Sequence, residues 1–281
     1  MVSINPLNVL LWTFRRNEKD VVNLYTTLSP VMQIATGGSM LNFGYWSSEH
    51  EDPISAQNNL CMVFAEFAEL FSGKHVVDVG SGLSAPSILW RDTFPNLHLD
   101  CVNINFNQLS FCGPQKNMEF INSTSTKLPF SDDSVDRVLA LESAQHFKPL
   151  SDFIDESKRI LINDGLFVLA VPITIGKSSF KKLGLLKFTW SSEHYSLEYL
   201  KNLLTSNGFD IINEKLIGSN VYDPLADYYV NHRPELQKLI LKKYPRYVEN
   251  ILFKSIQKMK KASEEKVIDY VILKCTLKSN S

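Results

Sequence analysis

The sequence has no long apolar run, no clustered cysteines and no excess of charge of one sign. The apolar segment at residues 7–14 is too short to cross a bilayer, and no basic segment precedes it. The four cysteines are scattered without a Cys-x-x-Cys pair, which argues against a structural zinc site and for a reducing compartment. A net charge of -1 gives no field that favours nucleic acid. We therefore expect a cytoplasmic protein without a metal site or a nucleic-acid partner.

The most informative stretch is residues 75–84, which read His-Val-Val-Asp-Val-Gly-Ser-Gly-Leu-Ser. Apolar β-formers lead to Asp78, and a helical pattern starts near Ala85, which is typical of a buried parallel strand that ends in a ligand-binding turn. Gly80 and Gly82 allow backbone N–H groups to approach a ligand that a Cβ atom would block. The following helix adds unpaired N–H donors and a positive dipole end.

Two kinds of cofactor site use such a turn. Gly80, Gly82 and Ala85 satisfy the Gly-x-Gly-x-x-Gly/Ala spacing of a dinucleotide site. With Asp78 two residues before the first glycine, the stretch also resembles the first motif of class I S-adenosylmethionine (SAM) methyltransferases, Asp/Glu-x-Gly-x-Gly-x-Gly. Ser84 stands in place of the third glycine of that motif.

Three further segments resemble one group within that family, the small-molecule O-, C- and N-methyltransferases of natural-product, sterol and quinone pathways. Residues 123–136 are similar to the group's Gly-Asp-Ala-x-x-Leu-Pro-Phe-x-Asp-x-Ser-Phe-Asp stretch. Residues 41–46, Leu-Asn-Phe-Gly-Tyr-Trp, resemble its His/Asn-x-Gly-Tyr-Trp segment, and residues 142–147 resemble the end of its Ala-x-Glu-Ser-x-His-His segment. The resemblance spans roughly residues 20–220 and implies SAM as cofactor and a small-molecule acceptor.

The resemblance also implies which residues hold the cofactor. Asp78 is expected near the methionine end, directly or through an ordered water, and Thr124 and Ser125 are expected at the adenine edge. Tyr45 and Trp46, with an upstream tyrosine matched by Tyr25, are expected in a lid over the cofactor. The full set of expected cofactor-binding residues is Tyr25, Tyr45, Trp46, Asp78, Gly80, Gly82, Asn103, Thr124, Ser125 and Glu142.

Asn103 bears on the choice between the two cofactors. It ends the second predicted strand, where a nucleotide site usually holds the ribose with Asp or Glu. The missing acid argues against a nicotinamide cofactor, whereas an amide oxygen can still accept a hydrogen bond from a ribose hydroxyl of SAM. We expect weaker binding, since hydrogen bonds to charged groups are worth about 1.5–3 kcal/mol against about 1 kcal/mol for neutral ones.

His146 is the predicted catalytic residue. It follows a strand that carries a motif, and the carboxyl ends of parallel strands face the ligand cleft. A neutral imidazole can accept a proton from an acceptor hydroxyl near neutral pH, which general bases typically accelerate by about 10²–10⁴-fold. Pro172 stands where some relatives carry an acid, so that possible base is absent.

The alternation of strand and helix patterns, with the resemblance, predicts an α/β fold: a doubly wound, mostly parallel, seven-stranded Rossmann-like sheet. Strands are predicted at residues 97–104, 137–141, 166–171, 209–216 and 267–277. We expect a helical lid at residues 1–50, a SAM-binding core at 51–224, a helical cap insertion at 225–266 and a final strand in 267–281.

Two other functions fit parts of the sequence. A nicotinamide-dependent reductase would explain the glycine spacing but not the Leu-Pro-Phe and Gly-Tyr-Trp segments. A protein that binds SAM as a cyclase or binding subunit, without methyl transfer, would explain the altered positions Ser84, Asn103 and Thr124. The Lys-rich part of the predicted cap allows at most weak contact with anionic lipid. The sequence predicts neither the acceptor nor the oligomeric state.

Overall fold

The computed structural model describes residues 14–47, 52–176, 182–189 and 192–278. The strands are β1 (His75–Val79), β2 (His98–Asn103), β3 (Met118–Asn122), β4 (Val135–Leu141), β5 (Leu161–Thr174), β6 (Phe209–Leu216) and β7 (Ile268–Leu277). They form one sheet in the order β3-β2-β1-β4-β5-β7-β6, in which β7 runs antiparallel to both of its neighbours. The predicted α/β class with a mostly parallel seven-stranded sheet is confirmed.

Helices flank the sheet and begin where the sequence supplies caps. Asn17 forms a capping box with Asp20, Asp52 caps a helix that has Pro53 at its first position, and Ser196 accepts from the Tyr199 N–H. The α-helices are α1 (Glu18–Thr36), α2 (Pro53–Phe67), α3 (Ala85–Thr93), α4 (Phe106–Ser110), α5 (Leu150–Ile160), α6 (Leu186–Thr189), α7 (Leu197–Ser206), α8 (Gly218–Asn231), α9 (Arg233–Leu241) and α10 (Arg246–Glu264). Short 3₁₀ helices lie at Leu70–Ser72 and Ala144–His146.

Apolar side chains cover both faces of the sheet. Within β1, Val76 belongs to the cluster on one face, whereas Val77 and Val79 belong to the cluster on the other face. This alternation follows from the two-residue repeat of a strand, and burial of both faces is characteristic of a parallel sheet flanked by helices. The strand order reverses between β1 and β4, so the switch point lies beside the predicted glycine turn.

Two segments differ from the sequence expectation. β5 begins at Leu161, five residues before the predicted strand, because the Asn163-Asp164-Gly165 segment stays within the strand as an irregularity. The register shifts there: Val135 pairs with Leu161, and Arg137 pairs with Leu166. The edge strand β3 has no predicted counterpart, since only Met118 of its five residues is fully buried and the apolar pattern is weak.

The three helices α8, α9 and α10 lie between β6 and β7, and we call them the cap. The cap begins at Gly218, seven residues before the expected position. Its apolar cluster includes Val31 of α1, and the Tyr244 hydroxyl donates to the Thr27 carbonyl at 3.2 Å. The amino-terminal helix therefore packs on the cap. Among the helices in the described ranges, none combines the length and the apolar character that crossing a membrane requires.

Candidate active site

A cleft opens at the carboxyl ends of β1, β2 and β4, on the side covered by α1 and residues 39–42. Ligands of open α/β sheets bind at this position because loops at the switch point diverge to opposite faces. Seven of the residues predicted from the sequence line the cleft: Tyr25, Gly80, Gly82, Asn103, Ser125, Glu142 and His146. The structure thus brings together residues that are up to 121 positions apart in the chain.

The turn after β1 requires glycine at its first position. Gly80 has a φ of 79°, and its N–H donates to the Val102 carbonyl at 2.8 Å. A Cβ atom on Gly80 would lie 2.4 Å from Cβ of Ser143, which is a severe overlap. A Cβ atom on Gly82 would meet only Cδ1 of Leu41, at an ordinary 3.9 Å, so glycine is needed there for its φ of 58°.

Ser84 occupies the third glycine position with a left-handed backbone, φ 54°. Its side chain is fully buried, and its hydroxyl donates to Oγ of Ser81 at 3.1 Å. This local bond partly offsets the steric cost that an L-residue has in the left-handed region. The substitution in the motif therefore leaves the turn geometry in place.

Asp78 lies beneath the turn and does not line the cleft. Its side chain is 3% exposed, and the Ser87 hydroxyl donates to Oδ2 at 2.5 Å. Burial raises the pKa of the Asp78 carboxyl to about 6, although the Ser87 bond acts in the opposite direction. Asp78 therefore links the end of β1 to α3.

Asn103 is engaged within the protein. Its side-chain N–H groups donate to the Gly82 carbonyl at 2.9 Å and to Gln108 Oε1 at 3.0 Å, and its Oδ1 accepts from the Asn105 backbone N–H at 3.2 Å. The carbonyl keeps a second lone pair. Oδ1 of Asn105, which the sequence analysis missed, lines the same cleft, is buried and has no hydrogen-bond partner among the described residues.

Glu142 lies in the cleft at the end of β4 with a φ of 53°. Its carboxyl group accepts from the Phe43 backbone N–H at 3.0 Å and from the Tyr270 hydroxyl at 3.0 Å. Burial raises the pKa of Glu142 to about 8, and these two donors only partly oppose the shift. The carboxyl therefore ties residue 43, beside the cleft, to β7.

His146 pairs with Tyr25 across the cleft. Nε2 of His146 lies 2.8 Å from the Tyr25 hydroxyl, and the two rings meet edge to face with centroids 5.3 Å apart. Burial, helped by the charge of Arg16, lowers the pKa of His146 to about 4, and burial raises the pKa of Tyr25. Both groups are thus neutral at pH 7. Nδ1 of His146 is buried without a hydrogen-bond partner in the described part of the chain.

One face of α1 forms the wall of the cleft. Glu18, Val21, Val22 and Tyr25 follow the i, i+3, i+4, i+7 spacing of a helix face, and all four line the cleft. The sequence carried this signal, but only Tyr25 was singled out from it. Thr124 does not line the cleft; its hydroxyl donates to Glu18 instead and so fastens the loop after β3 to α1.

Tyr45 and Trp46 lie outside the cleft, and Trp46 contacts the cap. The Trp46 side chain is 5% exposed, and its ring lies against Tyr228 with centroids 5.7 Å apart. The backbone N–H of Trp46 donates to the Asn220 carbonyl at 2.8 Å, and the backbone N–H of Tyr45 donates to the Ala56 carbonyl at 2.8 Å. In the part of the chain that is described, Met40, Leu41 and Asn42 face the cleft from this segment instead.

The cleft fits a ligand with the polar groups of an adenosyl cofactor. Oδ1 of Asn42 and Oδ1 of Asn105 are buried acceptors without a partner among the described residues, and both border the cleft. Buried polar atoms are nearly always hydrogen-bonded, so unpaired acceptors at a cleft favour a ligand with hydroxyl or amino donors. Gly82 also lines the cleft and has no Cβ atom to block the approach of such a ligand.

Comparison with known proteins agrees with this geometry. The family model described as "Methyltransferase domain" matches residues 77–169. Over 267 residues the chain is 25% identical to erythromycin 3''-O-methyltransferase of Saccharopolyspora erythraea, which covers 88% of this chain and 85% of that protein. The chain is a SAM-dependent methyltransferase. The resemblance to the small-molecule group is confirmed, and so is SAM as the cofactor.

Solved structures share the fold of this methyltransferase. The cyclase SpnF has a TM-score of 0.77 and 18% identity over 93% of this chain and 97% of that one. Geranyl diphosphate C-methyltransferase of Streptomyces coelicolor A3(2), bound to S-adenosyl-L-homocysteine, has a TM-score of 0.73 and 11% identity over 92% and 97%. The seven-stranded architecture therefore recurs over nearly the whole length of these proteins.

Proposed function

We propose that this methyltransferase moves a methyl group from SAM to a hydroxyl group of a small lipophilic metabolite. The observation that carries the proposal is the neutral His146–Tyr25 pair in the same cleft as the glycine turn. A hydroxyl is a weak nucleophile at pH 7 and benefits from a positioned base, whereas an amine needs none. The relative that methylates oxygen in erythromycin, 25% identical over 88% of this chain, supports this acceptor class.

Apolar side chains around the pair support a lipophilic acceptor. Val21 and Val22 of α1, Met40, Leu41 and Phe147 line the cleft on the side of His146 and the lid. Apolar walls with a few polar groups are typical of small-molecule sites, and they exclude water from the reacting atoms. A nucleic-acid substrate would require a basic cleft instead.

The cleft geometry supports an assignment of the cofactor positions. We assign Gly80 and Gly82 to backbone approach, Asn103 with Asn105 to the ribose hydroxyls, and Ser125 to the adenine edge. Asp78 acts from beneath the turn, through a water or through the turn itself, and Glu142 lies toward the methionine end. Three other residues hold neighbouring segments in place and do not contact the cofactor. Thr124 holds α1, and Tyr45 and Trp46 hold residues 40–42.

The same assignments give the chain three functional parts. We propose that the amino-terminal segment to residue 50 is a lid, that residues 51–224 with the final strand hold SAM, and that the helices around residues 225–266 cap the acceptor site. The contacts of α1 with both the cleft and the cap support this division.

Bound SAM supplies an activated methyl group on a sulfonium. The protein contributes orientation, exclusion of water and acceptance of the hydroxyl proton. Two routes lead the proton to His146. If Nε2–H donates to the tyrosine oxygen, Nδ1 carries the lone pair and accepts directly; if Tyr25 donates to Nε2, the tyrosine oxygen accepts first and its own proton passes to Nε2.

Two variants separate these routes. His146→Ala should lower the turnover number by about 10²–10⁴-fold and leave the SAM dissociation constant nearly unchanged. Tyr25→Phe should be as inactive as His146→Ala if the tyrosine relays the proton, and nearly active if Nδ1 accepts directly. Turnover is measured as S-adenosylhomocysteine release with a panel of lipophilic alcohols and glycosides. His232→Ala, on the cap surface, is the matched control.

Cofactor binding is tested apart from turnover. Isothermal titration with SAM should show saturable binding, whereas NADH and NADPH should give no heat. Binding of SAM without any methylated product across alcohol, amine and carbon acids would contradict the transfer proposal and favour the non-methylating alternative. Equal losses of SAM affinity and turnover in His146→Ala would make the histidine structural.

A further inference from the structure

Three metal-ligating side chains meet at the end of the sheet opposite the cleft. His75 begins β1 and His98 begins β2, and the parallel register pairs these two residues directly. Asp100, two residues after His98, lies on the same face of the sheet because side chains repeat every second residue. The imidazole nitrogens and a carboxylate oxygen all lie within 4.8 Å of one another.

The carboxylate lies between the two imidazoles. Oδ2 of Asp100 is 2.6 Å from Nε2 of His75, and Oδ1 is 3.3 Å from Nε2 of His98. At the tetrahedral angle, zinc–ligand bonds of about 2.0–2.2 Å place two ligand atoms of one ion roughly 3.3–3.6 Å apart. The His98 contact already has this separation, and the His75 contact needs to open by roughly 0.7 Å or more.

A backbone carbonyl on the far side of the ring orients the His75 imidazole. Its Nδ1 lies 3.1 Å from the Ser134 carbonyl, which can only accept, so Nδ1 carries a proton. Nε2 of His75 then faces the carboxylate of Asp100 at 2.6 Å, and this contact needs a cation between the two atoms, either a proton on Nε2 or a metal ion. Metal-bound histidines are usually held by such a bond from the second ring nitrogen to a backbone carbonyl.

Burial of the carboxylate adds to the argument. Asp100 is only 4% exposed, and a buried carboxylate is costly unless a cation or several donors compensate it. His98 is exposed, so solvent has access to the remaining coordination positions. Two imidazoles and one carboxylate are a ligand set for borderline divalent metals rather than for Mg²⁺ or Ca²⁺.

We propose that His75, His98 and Asp100 bind a divalent transition-metal ion of the Zn²⁺ or Ni²⁺ type that joins the amino ends of β1 and β2. No metal site was expected from the sequence, because the ligands lie on two different strands at spacings that match no zinc motif. The ion stabilises the folded chain, since a ligand that binds only the native state raises its free energy of unfolding by RT ln(1 + [L]/Kd).

The experiment titrates Zn²⁺ into the full chain after treatment with a chelator. Isothermal titration should show saturable one-to-one binding, and the melting temperature should rise with free Zn²⁺ but not with equal Mg²⁺. His98→Ala and Asp100→Asn should each weaken Zn²⁺ binding by at least about tenfold. His98 is exposed, so His98→Ala keeps the fold even if Asp100→Asn does not.

Two control variants remove other Zn²⁺ ligands. Cys112→Ser removes a partly exposed thiol, and His232→Ala removes an exposed imidazole just after α8. Both should bind Zn²⁺ as the unchanged chain does. Absence of saturable binding in the unchanged chain, or unaltered affinity in His98→Ala, would overturn the proposal and leave a protonated His75 as the cation that faces Asp100.

Discussion

At the scale of single residues, two non-glycine residues have left-handed backbone conformations near the cleft: Glu142 lines it, and Ser84 is buried in the turn beside it. Such conformations cost about 1–2 kcal/mol for an L-residue and tend to concentrate at functional sites. The sequence showed that Ser84 replaces a glycine, but only the structure shows that the backbone did not change to suit the serine. The hydrogen bond from the Ser84 hydroxyl to Ser81 partly offsets the cost of this backbone conformation.

We predict that Ser84→Gly is more stable than Ser84→Ala by about 1 kcal/mol or more. Both variants lose the hydroxyl bond to Ser81, so their difference isolates the cost of a Cβ atom at φ 54°. Urea denaturation of the two purified variants measures this difference. Equal midpoints and equal slopes would show that the backbone at residue 84 relaxes.

Glu142 makes the stability of the protein depend on pH. Its pKa is about 8 in the folded chain against an ordinary value of 4.5, so between these pH values the folded state holds a proton that the unfolded state has released. The stability that this proton contributes is complete below pH 4.5 and is lost as the pH rises through 8. Asp78, with a pKa of about 6, acts in the same direction at lower pH, and His146, with a pKa of about 4, acts in the opposite direction.

Glu142→Gln should therefore remove a decline in stability between pH 6.5 and 8. Glutamine keeps an acceptor for Phe43 and Tyr270 but has no charge to bury. Relative to the unchanged chain, the variant should gain up to about 1.4 kcal/mol per pH unit in this window. Unfolding free energies from urea titrations at pH 6.5 and pH 8 test it, and parallel pH slopes for both proteins would contradict it.

At the scale of elements, sequence patterns predicted the strands and turns whose structure depends on neighbouring residues in the chain. The strand and turn around Asp78, Gly80 and Gly82 were predictable because strand burial and the glycine turn depend on neighbours in sequence. The position of Trp46 was not predictable in this way, since its contacts come from Asn220 and Tyr228, far along the chain. The pairing of Tyr25 with His146 depends on how α1 docks, which no local pattern determines.

Trp46 fastens the segment before α2 to the cap. Two hydrogen bonds of the Trp46 backbone, one from its N–H and one to its carbonyl, join it to Asn220. The Trp46 side chain is almost fully buried. We predict that Trp46→Ala lowers the free energy of unfolding by about 3–5 kcal/mol, as large-to-small aromatic changes in cores do. Phe111→Ala is the matched control: Phe111 is 82% exposed, so its loss should change stability by less than about 0.5 kcal/mol. Similar midpoints for the two variants would show that Trp46 contributes no packing.

At the scale of the whole molecule, α1 connects the cofactor cleft to the cap. Toward the cleft, Tyr25 contacts His146 and Thr26 accepts from Asn105 at 3.3 Å. Toward the cap, the Thr27 carbonyl accepts from Tyr244. Because three consecutive residues of one helix contact both sides, a ligand that orders α1 also favours the packed arrangement of the cap.

Tyr244→Phe should weaken SAM binding although Tyr244 does not line the cleft. The lost bond to Thr27 is worth about 0.5–1.5 kcal/mol, which corresponds to roughly a two- to tenfold higher dissociation constant if the bond helps hold α1 in place. Isothermal titration gives the constant, and hydrogen exchange should show less protection of α1 by SAM in the variant. Tyr199→Phe, exposed on α7, is the control and should leave both readouts unchanged. Unaltered SAM affinity in Tyr244→Phe would mean that α1 closes on the cleft independently of the cap, and that the cap acts on the acceptor alone.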